Sequence, residues 1–174
     1  MKQIPLTQGL VTVVDDADFE ELSQWSWCVR KTKRRKGGFR YYAGRRQSPH
    51  LILMHRQILG LNPGDKRQGD HRNHNELDNR RCNLRICSNQ ENSINQYGRG
   101  GTSEYKGVYW AKPKEKRWKG KWIAQIEHNY HRNYLGSYDD EADAALAYDA
   151  AAIKYFGIEF ALLNFPAKGA TICP

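Results

Sequence analysis

The chain has 174 residues, and its 28 lysines and arginines outnumber its 19 aspartates and glutamates, so the formal charge is +9. No apolar run approaches the roughly 20 residues that span a bilayer, and the first residues lack the apolar segment of a signal peptide. Its 4 cysteines are too few and too scattered for a disulfide framework. We therefore expect none of the membrane, secreted or fibrous classes, and the positive charge favours a polyanionic partner.

Short strands and helices are predicted along the first half of the chain. Residues with β-branched side chains indicate a strand over Leu10–Val14. Phe19, Leu22 and Trp25 recur at helical spacing and predict a short helix. The remaining predicted elements are strands over 26–31 and 39–43 that form a basic hairpin, a strand over 51–54 and a short helix over 55–59.

Positive charge is concentrated in the predicted hairpin. Nine basic residues and no acidic residue lie between Arg30 and Arg46. Two interpretations stay open, because the run can be a hairpin with solvated charges or a ribbon that contacts phosphates. The candidate DNA-contacting residues of the second interpretation are Arg34, Arg35 and Arg40.

A polar constellation occupies residues 70–96. Asp70 and His71 end a predicted strand, an asparagine-rich loop follows, and a second strand leads into a helix that Ser88 caps. Asn92 lies in that helix, so its amide can point back toward the strand end. Asp70 and Asn92 then offer hard oxygen ligands, which suit Mg²⁺ or Mn²⁺. Neutral His71 can accept a proton from water, and Asn83 can fix the orientation of the imidazole.

Two interpretations of this constellation compete. Taken singly, each residue fits a structural role, because asparagine-rich loops commonly form turns. Taken together, the run from Asp70 through Asn83 to Asn92 resembles the HNH endonuclease motif in its ββα-metal form, with a final Asn in place of His. The resemblance implies that His71 is the general base and that Asn83 orients it. It also implies that Asp70 and Asn92 hold one Mg²⁺ or Mn²⁺ ion.

The cysteines near this motif do not have the spacing of a zinc site. Some HNH proteins carry paired Cys-x-x-Cys zinc knuckles, whereas Cys82 and Cys87 are five residues apart and have no partner pair. We therefore expect no structural zinc. Both side chains are expected to be reduced thiols.

Three strands and one helix are predicted for the second half of the chain. The glycine-rich stretch 98–102 is the best candidate for a linker. A strong helical pattern begins at Glu141 and continues to about Phe156, with Asp140 as its cap and Gly157 beyond its end. The predicted strands before the helix are Gly107–Trp110, Lys121–Glu127 and Asn133–Tyr138.

The second half carries motifs of a known DNA-binding domain. These motifs are Tyr105-Lys106-Gly107-Val108-Tyr109, Tyr134-Leu135-Gly136-Ser137-Tyr138, Glu141-Ala142-Asp143-Ala144-Ala145 and Leu162-Leu163-Asn164-Phe165. The segment from Ser103 to Pro166 resembles the APETALA-type domain of plant ethylene-response factors, which also occurs beside HNH nucleases. The resemblance implies a three-stranded antiparallel sheet in the DNA major groove, with one helix against its back. The positions that match the family's contact residues are Lys106, Gly107, Tyr109, Lys119, Gln125, Glu127, Arg132 and Tyr134.

Strand periodicity agrees with this resemblance. Successive side chains of a strand point to opposite faces, so one face of the sheet can pack on the helix while the other stays exposed. The acidic residues of the helix are expected to face away from DNA. Tyr109 and Glu127 stand where the plant pattern has arginine, so the plant target sequence is not transferred to this chain. The side chains predicted to pack against the helix are Val108, Ile123, Ile126 and Leu135.

Together these observations predict an α+β protein. The expected order is an N-terminal domain of the HNH ββα-metal type with a preceding basic β-hairpin, followed by a three-stranded antiparallel sheet packed on one α-helix. The predicted boundaries are 1–97 for the first domain with its motif core at 50–97, 98–102 for the linker, 103–166 for the second domain and 167–174 for a tail.

The leading hypothesis is a homing-type DNA endonuclease that hydrolyses phosphodiester bonds with one Mg²⁺ or Mn²⁺ ion. It would nick one strand as a monomer on double-stranded DNA, without a membrane, in the cytoplasm of a bacterial host, with a phage gene as one option. The alternative is a DNA-binding transcriptional regulator without cleavage, in which the nuclease fold serves as a clamp.

Overall fold

The computed structural model describes residues 1–34, 37–96, 101–113, 119–166 and 173. The chain forms two compact units, Met1–Asn92 with Cys173 and Ser93–Ala170. The predicted linker at 98–102 and the predicted tail at 167–174 fall mostly outside the described residues, so the predicted domain boundaries stay predictions. None of the helices within the described ranges has the length and apolar character needed to cross a lipid bilayer.

The first unit is built from short strands and helices. Its strands pair as β1–β2, β3–β4–β5 and β6–β7, antiparallel in each case. The predicted strands and helices of this part are confirmed, with bounds that differ by a few residues. In chain order the elements are β1 (Lys2–Pro5), β2 (Val11–Val14), α1 (Asp16–Ser23), β3 (Cys28–Lys33), β4 (Phe39–Gln47), β5 (His50–Leu53), α2 (Met54–Ile58), β6 (Gln68–His71), β7 (Leu84–Cys87) and α3 (Asn89–Ile94), whose last two residues belong to the second unit.

Apolar side chains from the sheets and helices form the core of the first unit. Val29 of β3 and Ala43 of β4 stand opposite each other, and both are buried. Leu22 of α1 and Met54 of α2 belong to the same buried cluster. The indole Nε1 of Trp27 donates to the carbonyl oxygen of Leu22 at 2.8 Å, so burial of this ring leaves no polar atom unsatisfied.

The described part of the second unit is a three-stranded antiparallel sheet with one helix. Its elements are β8 (Val108–Ala111), β9 (Lys121–His128), β10 (His131–Tyr138) and α4 (Glu141–Phe160), with β9 in the centre of the sheet. Asp140 caps α4 as predicted, because its carboxylate accepts the N–H groups of Ala142 at 2.7 Å and Asp143 at 3.3 Å. Gly157 has φ 70° and ψ 158°, so the regular helix is interrupted at the residue predicted to follow its end.

Small side chains let α4 lie close to the sheet. Ala144 and Ala145 are fully buried, and they cluster with Val108 of β8 and Ala124 of β9. An alanine side chain adds only one methyl group, so the helix backbone approaches the strands closely. The sheet and α4 are therefore held together as one packed layer pair.

The two isoleucines of β9 lie on opposite faces of the sheet. Ile126 is buried on the side of α4, two residues from buried Ala124. Ile123 lies three positions before Ile126, an odd offset along the strand, so it points to the other face. The prediction that both isoleucines pack on the helix is therefore wrong for Ile123.

The described elements form an α+β protein with small antiparallel sheets and a few helices, which confirms the predicted fold class in its general form. The three-stranded sheet backed by one helix agrees with the fold that the APETALA-type resemblance implied. Strands β6 and β7 and helix α3 follow one another in ββα order. That order alone does not identify a nuclease domain.

Candidate nucleic-acid interface

The second unit presents one face of its sheet away from α4. Residues directly opposite each other in an antiparallel pair share a face, so the register defines this surface. Cross-strand pairs on it are Tyr109 with Ile123, Gln125 with Tyr134 and Glu127 with Arg132. We call these six residues, together with Lys121, the outer face.

Aromatic and charged side chains dominate the outer face. Tyr134 is 66% exposed and Tyr109 is 39% exposed. The side chains of Arg132 and Glu127 are 77% and 64% exposed, and their nearest N–O distance is 4.0 Å. An exposed pair at this distance is weak, so both groups can bind a partner. Arginine, glutamine and glutamate on a β-ribbon can read base edges in the major groove.

Two lysines extend the positive charge along β9. Lys119 is exposed just before the strand begins. The Nζ atom of Lys121 pairs with Oδ1 of Asp139 at 2.5 Å; the side chain of Asp139 is largely exposed and that of Lys121 is partly exposed. A phosphate can replace the carboxylate in such a solvated pair at little cost. Both lysines are therefore accessible to a polyanion near the start of β9.

Gly107 and Lys106 have contacts within the unit. A Cβ atom at Gly107, where φ is +77°, would lie 1.9 Å from Cδ2 of Tyr148, so only glycine fits there. The ammonium of Lys106 donates a hydrogen bond to the carbonyl oxygen of Ile94. Burial lowers the pKa of Lys106 to about 8. Both residues thus have packing roles, and their predicted contact with DNA stays a prediction.

Sequence reasoning missed two residues that hold the loop after α4. The carboxylate of Asp149 is buried, and it accepts the N–H groups of Asn164 and Phe165 at 2.8 Å each. The amide of Asn164 in turn accepts the N–H of Lys106 at 2.7 Å and donates to its carbonyl oxygen at 3.1 Å. Asp149 therefore joins the end of the unit to its beginning. An acidic residue inside an alanine-rich helix was the available signal.

In the first unit, Asp70 and His71 end β6 as predicted, and both are buried. Asp70 stands opposite Arg85 of β7. Its Oδ2 accepts hydrogen bonds from Nε of Arg85 at 2.9 Å and from Nη2 at 2.7 Å. The carboxylate predicted to bind a metal is therefore neutralised by a buried guanidinium.

A buried hydrogen-bond chain orients His71. Its Nε2 lies 3.2 Å from Oδ1 of Asn79, whose Nδ2 donates to Oγ1 of Thr12 at 2.7 Å. Because that amide oxygen can only accept, we assign the ring proton of His71 to Nε2. The ring of His55 meets the ring of His71 edge-on, with centroids 4.9 Å apart. Burial lowers the pKa of His71 and lowers that of His55 to about 3, so both rings are neutral near pH 7.

The two asparagines predicted near His71 are placed differently. Asn83 is fully buried and holds the loop, since its Oδ1 accepts the N–H of Asn73 at 2.9 Å and its Nδ2 donates to the carbonyl oxygen of Asp78 at 2.7 Å. Through these two hydrogen bonds, Asn83 stabilises the turn between β6 and β7. Asn92 is half-buried on α3, the helix predicted to carry it.

Asp70, one of the two predicted metal ligands, is already paired with a cation. Among the described residues, no group of three or more His, Cys, Asp or Glu side chains can hold a metal ion. A divalent cation at Asp70 would compete with the buried guanidinium of Arg85 for the same carboxylate. The predicted Mg²⁺ or Mn²⁺ therefore stays a prediction that this donor set does not support, and no chemical step is assigned to it.

Two of the three predicted hairpin arginines, Arg34 and Arg40, belong to the described residues, whereas Arg35 lies outside them. Oε1 of Glu76 is 3.1 Å from Nε of Arg40 and 3.6 Å from Nη2 of Arg34. One carboxylate thus faces two guanidinium groups, and this side of the hairpin keeps an excess of positive charge.

A disulfide joins Cys82 to Cys173, with their Cα atoms 5.6 Å apart. The prediction of a reduced thiol at Cys82 is therefore wrong, because the partner lies 91 residues away and leaves no local signal. Cys87, the other cysteine predicted to be reduced, is free and buried. Burial raises the pKa of its thiol to about 11.

Known proteins match about two fifths of the chain. An AP2/ERF and B3 domain-containing protein of rice is 43% identical over 70 residues, which cover 40% of this chain and 17% of that protein. Dehydration-responsive element-binding protein 2D of Arabidopsis is 43% identical over 75 residues, which cover 40% of this chain and 33% of that protein. Ethylene-responsive transcription factor ERF018 of Arabidopsis is 42% identical over 66 residues, which cover 37% of this chain and 30% of that protein. The chain spans a third or less of the length of the curated relatives it matches. No family model matches the chain.

These relatives are AP2/ERF transcription factors of plants, and the shared region supports an AP2/ERF-type DNA-binding domain in this chain. The leading hypothesis of a metal-dependent homing endonuclease is therefore wrong, because the named relatives are transcription factors and not nucleases. The expected cytoplasm of a bacterial host is wrong for the same reason, since the relatives come from plants.

Proposed function

We propose that the protein is a sequence-selective DNA-binding transcriptional regulator that contacts the duplex with its outer face. The observation that carries this proposal is the pairing of Gln125 with Tyr134 and of Glu127 with Arg132 on a face that α4 leaves uncovered. The names of the relatives, transcription factor and element-binding protein, support the same class.

The outer face supplies the groups that base recognition needs. The guanidinium of Arg132 suits guanine, the amide of Gln125 suits adenine, and the carboxylate of Glu127 can accept from the amino group of cytosine. The ring of Tyr134 adds apolar surface beside them. The packed helix behind the sheet keeps these side chains at fixed spacing.

The target sequence of this chain differs from that of its plant relatives in this proposal. Tyr109 and Glu127 occupy outer-face positions where the plant pattern has arginine. An arginine and a glutamate select different bases, because one donates hydrogen bonds and the other accepts them. We therefore propose a target in which cytosine replaces guanine at the position that Glu127 reads.

The first unit acts as a clamp without cleavage in this proposal. Its β6–β7–α3 segment keeps the ββα order, while Asp70 is paired with Arg85 and Asn83 holds the loop. We further propose that one chain binds one site. A regulator of chromosomal genes must reach chromosomal DNA, so we propose a nuclear location.

Selection from a random-sequence duplex library, with sequencing of the bound fraction, tests this function. We expect one enriched motif for the wild-type chain. Arg132→Ala should weaken binding to that motif by roughly 5- to 150-fold, which corresponds to one base contact of about 1–3 kcal/mol. Lys154→Ala, which removes one positive charge from an exposed position on α4, is the matched control and should bind as the wild type does. No enriched motif, or equal affinity in Arg132→Ala, would refute the function.

A further inference from the structure

The sheet β3–β4–β5 of the first unit carries a row of arginines on one face. The register pairs Arg30 with Tyr42, Thr32 with Arg40, and Arg46 with Leu51. Alternation along β4 places Arg40 and Arg46 on the same face, and Arg30 joins them from β3. Arg34 lies on this side as well, because it shares Glu76 with Arg40. We call Arg30, Arg34, Arg40 and Arg46 the arginine face.

The opposite face of this sheet uses its cations differently. The Nζ atom of Lys31 lies 3.7 Å from the ring centroid of Phe39, and the guanidinium of Arg45 lies 4.1 Å from that of Trp25. Stacking of this kind is an intramolecular contact that holds each cation in place. Lys31 and Arg45 are therefore less available to a large partner than the cations of the arginine face.

Acidic groups offset little of this charge. Residues 28–53 include no aspartate or glutamate. Glu76 reaches Arg34 and Arg40 from a loop elsewhere in the unit. Arg46 is exposed, and the Nε atom of Arg30 is buried without a hydrogen-bond partner among the described residues. Several like charges on one face repel each other, and a bound polyanion would relieve that repulsion.

The length of the row indicates the kind of anion. Arg40 and Arg46 are six residues apart on one strand, which corresponds to about 20 Å at a rise of roughly 3.3 Å per residue. That distance equals about six base-pair steps of duplex DNA. A small anion would contact only one end of such a row, whereas a run of phosphates matches its length.

We propose that the arginine face is a second nucleic-acid-binding surface, which takes the phosphodiester backbone of duplex DNA without reading its sequence. The positive charge and the spacing of the arginines are observed in the first unit alone. The choice of DNA as the bound polyanion rests on the function proposed for the second unit. Backbone contacts of this kind add affinity and fix the position of a protein on the duplex. Sequence selection stays with the outer face.

Salt-dependent binding of the full chain tests this surface. Fluorescence anisotropy would follow binding to a duplex of arbitrary sequence between about 50 and 200 mM salt. Arg46→Gln should reduce the slope of log K against log salt by about 0.9, and Arg30→Gln with Arg46→Gln by about 1.8. The double variant should bind on the order of 10-fold more weakly. Lys33→Gln, an exposed position on the opposite face of β3, should leave the slope unchanged.

Each other outcome overturns the proposal. Equal slopes for the wild type and the double variant, at equal melting temperatures, would remove the arginine face as a contact. Equal loss in Lys33→Gln and Arg46→Gln would show that only overall charge matters. Unchanged duplex binding with weakened binding of single-stranded RNA would refute the choice of DNA. Binding of Arg132→Ala to the selected motif tests the outer face separately, so failure of one variant series leaves the other result intact.

Discussion

Gly107→Ala should destabilise the second unit through two effects, backbone strain at a positive φ and a steric clash of the added Cβ. The added Cβ would lie 1.9 Å from Cδ2 of Tyr148 and 2.7 Å from the carbonyl oxygen of Gln125. The ring is buried and the oxygen belongs to the backbone of β9, so neither atom can move aside without disturbing the packing.

The chain offers a control that isolates the strain. Gly157 also has a positive φ, +70°, but a Cβ there would meet nothing within 4 Å. A non-glycine residue in this region costs about 1–3 kcal/mol, and overpacking of a filled core adds about 1–3 kcal/mol. Gly107→Ala should therefore lower the free energy of unfolding by about 2–6 kcal/mol, which is about 1–3 kcal/mol more than Gly157→Ala.

Native-state hydrogen exchange of the β9 amides measures this difference, because it reports the opening of the second unit separately from the first. Losses of protection that agree within about 0.5 kcal/mol for the two variants would refute the steric argument.

Three outcomes are expected in and around the first unit. Asp70→Ala should lower the free energy of unfolding in urea by about 3–5 kcal/mol, since it removes the carboxylate that pairs with the buried guanidinium of Arg85. Asp65→Ala, at an exposed pair, should cost far less, and equal losses would contradict the burial argument. Because the folded-state pKa of His55, about 3, lies below its unfolded value of 6.5, stability should fall as pH drops below 6.5. His55 should contribute a loss of about 2 kcal/mol by pH 5, and His55→Gln should remove that share, while the contribution of His71, whose pKa burial also lowers, remains; a pH dependence unchanged from the wild type would exclude His55 as a source. Protease cuts within 93–170 should give fragments that separate on a gel only after reduction, whereas Cys82→Ser fragments should separate without it.

Local patterns predicted the elements of the second unit well. The helix from Glu141, its cap at Asp140 and its interruption at Gly157 depend on neighbouring residues, and the structure has all three. The side chains of β9 were harder to assign, because Ile123 and Ile126 are equally apolar. Because side chains alternate along a strand, Ile123 and Ile126 cannot both lie on the face that packs against α4. The small Ala124 is buried there instead, although side-chain size alone would favour Ile123.

Contacts between distant residues were beyond sequence reasoning. Asp70 was predicted to be a metal ligand, and its partner Arg85 lies across a strand pair whose register no local pattern specifies. Asp149 holds Asn164 across 15 positions, beyond the three- or four-residue spacing that helix patterns reveal. The residue type predicts the charge of each side chain, but only the structure shows which group pairs with it.

The bond between Cys82 and Cys173 closes a covalent ring that contains every element of the second unit. While the ring is closed, the second unit is attached to the first at both ends, and its unfolding cannot extend the chain beyond the ring. In chain-entropy terms, closing a loop of this size removes about 4.7 kcal/mol of freedom from the unfolded chain. Reducing compartments keep cysteine side chains in the thiol form. In such a compartment the second unit is connected to the first at one end only. The attachment of the second unit is thereby linked to the redox state of its surroundings.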